Sequence, residues 1–238
     1  MEKQVKEYFR SLNVQEYEKT FHLLPLMVDE VRNSITNLPL EQRNIIHGIL
    51  AEECASTLIR MYQTRFESYL IEGLIFEYEP EMTTEVDLIF LTRNMVYIIE
   101  CKHRSNNIEV QADGSFKTGD KVESPVNQNL GHIRKLFKKL EYGNLVPNQR
   151  IFNIVYLLFN NGALMKNPLT LFEKEGVNGA FANYKNLLPL VNKLENERNG
   201  GKIPIKTLYN ELINHGKEYR GELGRNKHIE NLRRKYNE

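Results

Sequence analysis

Two short acidic motifs on neighbouring apolar segments contain side chains that could bind a cation and a phosphate. Glu85 and Asp87 lead into one apolar run, and Glu100 and Lys102 end the next. If residues 93–94 form the tip of a hairpin, Asp87 lies opposite Glu100. In the same register Glu85 lies opposite Lys102, and alternation along the strand puts Glu100 on the same face as Lys102. Two carboxylates and one ammonium group are therefore predicted to converge.

The chemistry that this group predicts is metal-dependent hydrolysis of a phosphodiester. Opposed carboxylates in a sheet have β-carbons about 4.5–5.5 Å apart and repel each other, so a cation between them stabilises the pair. Mg²⁺ and Mn²⁺ accept such oxygen ligands, and a bound ion can lower the pKa of a water and hold a phosphate oxygen. Lys102 could orient or deprotonate that water and neutralise charge in the transition state. Another interpretation stays open, because an acidic-x-Lys triplet also forms ion pairs on solvated faces and an odd-length loop would shift every pairing.

The elements that must position these residues follow from the spacing of apolar side chains. From residue 2 to about residue 65, apolar residues recur three and four apart, which predicts several helices, broken near Pro25 and Pro39. The middle of the chain then favours strands, at about residues 74–78, 86–91, 95–101 and 108–111. A turn at residues 113–114 leads to one further short run.

One helix and one strand follow the hairpin closely. Ser124 as N-cap and Pro125 at the first helical position predict a helix that runs to about residue 140. Residues 151–159 are apolar except at Asn153, which predicts a strand covered on both faces of the sheet.

The end of the chain is predicted to be helical. The helical pattern resumes after Gly179, breaks at residues 200–201 and continues as a charged tail over residues 206–238. The simplest architecture is an α/β fold in which helices flank a mixed central sheet, with helical additions at both ends.

Composition is that of a globular protein with an uneven charge distribution. Of its 238 residues, 41% are hydrophobic and 26% are charged, which excludes a disordered or collagen-like chain. Residues 1–100 hold 9 Lys+Arg against 17 Asp+Glu, and residues 101–238 hold 23 against 14, so the halves carry about −8 and +9. An acidic half could concentrate carboxylates around a cation and a basic half could face a polyanion, although many neutral proteins show such asymmetry without function.

A reducing cytoplasm is the expected location. The longest apolar stretches, such as residues 154–159, are far shorter than the roughly 18–20 residues that cross a bilayer, and the N-terminus lacks the pattern of a secretion signal. The two cysteines, Cys54 and Cys101, form no disulfide framework. Cys101 alternates to the face opposite Lys102 and is expected to fill the core.

The acidic hairpin resembles the core of PD-(D/E)XK nucleases and, more narrowly, the nuclease-related domain (NERD) family. It carries EVD at residues 85–87 and ECK at residues 100–102. The segment PVNQNLGH at residues 125–132 resembles the family's Asn-Pro-x-x-Gln helix, and GILAE at residues 48–52 resembles its Gly-x-x-Gly-Glu opening. The apolar run at residues 151–159 fits the strand expected after that helix. Four segments in the right order carry more weight than the acidic triplet alone.

The resemblance implies a restriction-endonuclease-like core over residues 45–195. A helical N-terminal extension over residues 1–44 and a charged helical tail over residues 196–238 complete the predicted domain organisation. The chain departs from the family pattern where Ser124 replaces the usual Asn and Ala51 replaces the second Gly. Phe116 likewise stands in place of a common Trp, and EVD is not literally Pro-Asp. None of these departures removes a side chain expected to hold metal.

The resemblance also implies a role for each candidate site residue. These are the Mg²⁺ or Mn²⁺ ligands Asp87, Glu100 and the backbone carbonyl of Cys101, the water-activating Lys102, and the orienting residues Glu52 and Gln128.

Glu53 competes with Glu52 as the upstream carboxylate. Glu52 is preferred because Ala55 and Ile59 place it beside the apolar stripe of its helix. Glu53 shares a face with Arg60 and is therefore expected to be solvated.

A set of basic residues after the glutamine is predicted to bind nucleic acid. Its members are His132, Arg134, Lys135, Lys138 and Lys139. Cations at these spacings could hold a phosphate backbone. A charged outer helix face, with the histidine hydrogen-bonded inside the domain, is the alternative.

The predicted function is a metal-dependent nuclease that hydrolyses phosphodiester bonds in nucleic acid, with DNA as the expected substrate; the sequence leaves RNA as a substrate, and internal or terminal cutting, open. In a prokaryotic host the resemblance suggests DNA processing or defence against foreign DNA. A function from another class is a non-catalytic or partner-activated nucleic-acid-binding subunit, whose helical ends bind a protein or a second copy of the chain. Tight Mn²⁺ binding that is lost on Glu100→Gln favours the enzyme, whereas salt-sensitive DNA binding without a metal requirement favours the binding subunit.

Overall fold

The fold is an α/β arrangement around a mixed sheet. The computed structural model describes residues 1–111, 113–118, 120–139, 146, 148–159, 165–166, 171–197, 202–219 and 221–237. This part of the chain contains seven α-helices, which are α1 Glu2–Arg10, α2 Tyr17–Ser34, α3 Leu40–Gln63, α4 Pro125–Lys139, α5 Leu187–Glu197, α6 Ile205–His215 and α7 Gly221–Asn237. Short 3-10 helices lie at Asn148–Arg150 and Lys217–Tyr219.

Ten strands, counted over the same ranges, form two sheets. They are β1 Ser68–Glu79, β2 Met82–Thr92, β3 Val96–Arg104, β4 Ile108–Val110, β5 Phe116–Thr118, β6 Lys121–Glu123, β7 Ile151–Phe159, β8 Met165–Lys166, β9 Phe172–Lys174 and β10 Val177–Ala182. The central sheet has the order β1-β2-β3-β7-β10-β9, and a smaller sheet has the order β6-β5-β4-β8. In the central sheet β7 runs parallel to both β3 and β10, and the other pairs are antiparallel. The predicted mixed α/β fold with a restriction-endonuclease-like core is confirmed.

Helices cover both faces of the central sheet and create two apolar cores. One core lies under α1, α2, α3 and α5 and includes the fully buried Leu58 and Tyr97. The other lies under α4 and α6 and includes Val126 and Leu208. β7 is buried on both faces, as its continuous apolar run predicted, and its bounds agree with the prediction.

The helical N-terminal region differs from the prediction at Pro25. Pro39 immediately precedes α3, as expected, but Pro25 lies inside α2 and does not end it. Proline removes one backbone hydrogen bond from a helix interior. Packing of Leu24, Val28 and Val31 into the core holds α2 together across that position.

The predicted helix after Gly179 is wrong for its first residues. Gly179 lies within strand β10, and the next helix, α5, begins only at Leu187. Glu175 and Gly176 both have positive φ and form a tight turn that returns the chain from β9 to β10. Residues 200–201, the predicted break, lie outside the described residues, and the tail after them consists of α6 and α7. Among the described helices, none combines the length and the apolar character of a membrane span.

Candidate active site

A cleft of about 960 Å³ opens where α3, β2, β3, α4 and α7 meet. Its lining contains all five side chains that were predicted to be catalytic, namely Glu52, Asp87, Glu100, Lys102 and Gln128. Cys101 and two of the predicted nucleic-acid-binding residues, His132 and Lys135, line it as well. The fold therefore brings together groups that four separate elements carry.

The β2–β3 hairpin has the predicted register but is shorter than predicted. The two strands pair over four residues each and the ladder ends at Leu88 and Ile99. The next pair in this register, Asp87 with Glu100, lies beyond the ladder. The two carboxylates still face one cleft, but the direct cross-strand pairing predicted for them is corrected.

A bend in β2 explains why the pairing ends there. The ladder between β1 and β2 is interrupted at Gly73 and Asp87, and Gly73 has a φ of 57°. Val86 and Leu88 pack into cores on opposite faces of the sheet. Residues two apart in a regular strand share a face. Asp87 therefore lies at the point where β2 changes the direction of its side chains.

The carboxylate of Asp87 is held by the backbone of the neighbouring strand. The N–H of Cys101 donates a hydrogen bond of 2.7 Å to Asp87 Oδ2. Burial raises the pKa of Asp87 well above its usual value, and the charges of Glu100 and Glu52 raise it further. The Cys101 side chain packs in the core, as predicted. The role of its carbonyl as a metal ligand stays a prediction.

Glu100 and Lys102 lie on one face of β3, as strand alternation predicted. Lys102 Nζ is 2.6 Å from Glu100 Oε1. Glu100 is only 2% exposed. Burial raises its pKa, and the Lys102 ammonium opposes that rise. A buried carboxylate thus has an ammonium group beside it in the lining of the cleft.

Glu52 lines the cleft, whereas Glu53 does not. Burial raises the pKa of Glu52 to about 7. The expectation that Glu53 is solvated is wrong, because it is 4% exposed. Its carboxylate lies 3.9 Å from Arg10 of α1 and 4.0 Å from Arg60. Helix α1 covers this face of α3, which the local pattern of α3 alone does not reveal.

Helix α4 places Gln128 and His132 at the cleft. His132 Nδ1 lies 2.8 Å from Thr84 Oγ1, and Nε2 lies 3.6 Å from Glu100 Oε2 without a hydrogen-bond partner among the described residues. Burial, together with the charges of Lys135 and Lys102, lowers the pKa of His132 to about 4. Its imidazole is therefore neutral at pH 7.

The other predicted nucleic-acid-binding residues have different surroundings. Lys135 lines the cleft and its Nζ lies 4.4 Å from the centre of the Tyr78 ring. Arg134 forms an exposed ion pair of 3.1 Å with Glu175, and Lys138 lies 3.6 Å from Glu79. The Lys139 side chain lies outside the described residues. Contact of Arg134 and Lys138 with nucleic acid stays a prediction.

A buried amide fixes α4 against the sheet. Asn129 is fully buried, and its Nδ2 donates hydrogen bonds of 2.9 Å to the Ile98 carbonyl and 2.8 Å to Asn153 Oδ1. Asn153 is the one polar residue in the apolar run of β7. This link sets the position of the neighbouring Gln128 relative to β3.

Comparison with known families agrees with this geometry. Residues 47–158 match the family model of the nuclease-related domain. This part of the chain belongs to the nuclease-related domain family. The comparison with curated proteins gave no match, and neither did the comparison with solved structures. The nuclease-related domain contains every residue predicted to be catalytic, while α1, α2 and α5 to α7 lie outside the matched residues.

One cleft residue outside the nuclease-related domain was missed in the sequence. His228 of α7 lines the cleft, with Nδ1 2.7 Å from Thr83 Oγ1 and Nε2 3.9 Å from Glu85 Oε2. No local motif marks it, because only the packing of α7 on β2 brings it to the site.

The nuclease-related domain offers a donor set that fits a hard divalent cation. Asp87 and Glu100 present carboxylate oxygens, and these are ligands that Mg²⁺ and Mn²⁺ prefer. Both carboxylates are buried, and the charge of Glu100 raises the pKa of Asp87, which is the repulsion that a cation relieves. No group of three or more His, Cys, Asp or Glu side chains in the described part of the chain is arranged to hold a metal. Any ion at this site would therefore take its remaining ligands from backbone, water or substrate.

Proposed function

We propose that the protein is a metal-dependent nuclease that hydrolyses phosphodiester bonds in DNA. One observation carries the proposal: a cleft of the nuclease-related domain buries Asp87 and Glu100 beside Lys102. Burying like charges costs free energy unless a counter-charge accompanies them. A structural role alone gives no reason to keep them in an open cleft.

Asp87 and Glu100 would hold Mg²⁺ or Mn²⁺, with the Cys101 carbonyl as a further ligand. A bound divalent ion would lower the pKa of a water molecule and would present positive charge to the phosphate. The Cys101 N–H keeps Asp87 in place for this task, since it already donates to one carboxylate oxygen.

The remaining residues would act on water and on the phosphate. Glu52, with a pKa of about 7, is suited to accept a proton near neutral pH. The Lys102 ammonium lies where it can neutralise charge on the phosphate. Gln128 can orient the attacking water through its amide. Because His132 is neutral, it can offer a hydrogen bond to the substrate but no charge.

The test is cleavage of labelled single-stranded DNA, double-stranded DNA and RNA with Mg²⁺ or Mn²⁺. We expect cleavage by the wild type and a loss of at least about a hundred-fold in Asp87→Asn and Lys102→Ala. Arg93→Gln serves as the control, since Arg93 lies at the opposite end of the hairpin and pairs with Glu67 on the surface. Cleavage by both site variants at the wild-type rate, with contaminating nuclease excluded, would overturn the proposal.

A second candidate is a nucleic-acid-binding subunit that is non-catalytic or needs a partner for activity. The close Lys102–Glu100 ion pair favours it, because the ammonium already neutralises one of the two carboxylates. Calorimetric titration with Mn²⁺ separates the two functions. Binding that is lost in Glu100→Gln supports the nuclease, and DNA binding without Mn²⁺ binding supports the subunit. DNA processing, defence against foreign DNA, a cytoplasmic location and a homodimer or protein partner formed through the helical ends remain proposals that rest on family analogy and sequence.

A further inference from the structure

A second pocket, of about 430 Å³, adjoins the cleft between α2 and α3. Its lining includes Arg32, Arg43, Thr36 and Asp29. His47 lines both this pocket and the cleft, so the two are neighbours. Arg32 and Arg43 precede the residues that match the family model.

The pocket holds more positive than negative charge. Arg32 pairs with Asp29 at 3.1 Å and also donates a 2.6 Å hydrogen bond to the Phe159 carbonyl, so its guanidinium is fixed in place. Arg43 has no ion-pair partner among the described residues, and its buried Nε–H has no hydrogen-bond acceptor there. A guanidinium with an unused donor can form a charge-assisted hydrogen bond with an anion that enters the pocket.

Contacts of His47 connect this charge to the catalytic strand. Burial lowers the pKa of His47, and the nearby charges of Arg32 and Arg43 lower it further. The His47 ring stacks on His103, with ring centres 4.1 Å apart. His103 directly follows Lys102 on β3. Arg32 Nη2 also lies 3.2 Å from His103 Nε2, so the pocket is linked to β3 through His103.

We propose that Arg43, supported by Arg32 and His47, binds a backbone phosphate of the nucleic-acid strand whose scissile bond lies in the cleft. This inference rests on the proposed function. A planar guanidinium that is not neutralised by a carboxylate is well suited to phosphate oxygens. Thr36 adds a hydroxyl to the same pocket.

The spacing along α3 allows an estimate of how far that phosphate lies from the cleft. Arg43 precedes Glu52 by nine residues, so the two lie about 14 Å apart along the helix axis. Phosphates of one strand of a duplex advance about 3.4 Å each along its axis. A duplex strand that runs along α3 would therefore place the pocket about four nucleotides from the bond that is cut.

The first experiment measures binding of a labelled 20-base-pair DNA duplex by fluorescence anisotropy, in EDTA, over a range of salt concentrations. We expect Arg43→Gln to weaken binding about eight-fold at 0.1 M salt and to reduce the salt slope by about 0.9, the effect of one phosphate contact. Arg43→Lys keeps the charge and is expected to recover part of the loss. Arg93→Gln is the matched control and should bind as the wild type does.

Thermal unfolding separates binding from a structural role. Removing a positive charge that lies near Arg32 and His47 should leave the Tm of Arg43→Gln unchanged or raise it. The inference is overturned if Arg43→Gln binds DNA as the wild type does. It is also overturned if the weaker binding of this variant is accompanied by a lower Tm.

A second probe, inorganic phosphate, separates this inference from the proposed function. Titrated phosphate should shift the NMR signals of the His47 ring in the wild type and not in Arg43→Gln. If the phosphate effect is present but the oligonucleotide does not bind, the pocket holds a free phosphate or nucleotide, and its nucleic-acid role is overturned. If cleavage occurs while both Arg43 effects are absent, the pocket proposal fails and the nuclease proposal stands.

Discussion

Three carboxylates of the cleft share one electrostatic condition. Burial is the largest cause of the raised pKa in Asp87, Glu100 and Glu52. Each group is therefore harder to ionise in the folded protein than in the unfolded chain. Folding works against the ionised forms that a divalent cation needs, so cation binding should be coupled to the release of protons.

Glu52→Gln is expected to change how stability depends on pH. The folded-state pKa of Glu52 is about 7, above the usual 4.5. Its contribution to the free energy of unfolding of the wild type is therefore fully present below pH 4.5 and is lost as pH rises through 7. Glutamine stays neutral, and the variant should be about 3 kcal/mol more stable than the wild type at pH 8. Urea unfolding between pH 5 and 8.5 measures this difference. Glu41→Gln, at an exposed position of the same helix, is the control, and parallel pH profiles for all three proteins would contradict the prediction.

Residue types and spacing predicted which side chains share the cleft, but not every local environment. Glu100 and Lys102 converge because alternation along a strand is a property of the backbone. The burial of Glu53 depends instead on Arg10 of α1, more than 40 residues away in the sequence. His228 was missed for the same reason, since a contact with a distant element leaves no local pattern.

At the scale of elements, the bend in β2 decides how the acidic residues meet. Strand β1 was predicted only over residues 74–78, so Gly73 was left outside it, whereas the strand runs over Ser68–Glu79. A glycine within a strand often marks an irregularity, and this is the signal that could have shown the bend. β7 was predicted in full because its continuous apolar run allows few alternatives. β10 was missed because it is short and contains Gly179.

Gly73→Ala is expected to lower the free energy of unfolding by about 1–2 kcal/mol. Its φ of 57° is unfavourable for any residue with a β-carbon. The bend should relax, so Asp87 should also move and Mn²⁺ binding should weaken. Urea unfolding and calorimetry measure the two effects. Gly131→Ala is the matched control, because a β-carbon there would meet no atom within 4 Å and alanine favours the interior of α4. Equal stability of Gly73→Ala and the wild type would show that the bend does not depend on this residue.

At the scale of the whole molecule, the acidic and basic halves of the chain meet in the cleft. The acidic half supplies Glu52, Asp87 and Glu100, while the basic half supplies Lys102 and Lys135. The charge asymmetry in the sequence therefore does not keep carboxylates and ammonium groups apart in the cleft. Carboxylates from one half lie beside ammonium groups from the other, as in the pair of Glu100 and Lys102.

The helical N-terminal region shares its core with the nuclease-related domain. Phe9 of α1 is fully buried, and Leu24 of α2 packs in the same core as Leu58 and Tyr97. Burial of this kind couples the elements energetically, since neither side can unfold without exposing the other. The predicted boundary near residue 45 therefore separates parts of the sequence that do not have separate cores.

Phe9→Ala is expected to destabilise the entire protein and not only its first helices. Deleting a buried phenylalanine side chain costs about 3–5 kcal/mol, and a shared core passes that cost to the sheet. Urea unfolding followed by far-UV circular dichroism and by tyrosine fluorescence should show one transition, shifted equally for both probes. Leu26→Ala, at an exposed position of α2, should leave the transition in place. If the two probes separate in Phe9→Ala, with the sheet unfolding at the wild-type urea concentration, the N-terminal helices form an independent unit and the cleft does not depend on them.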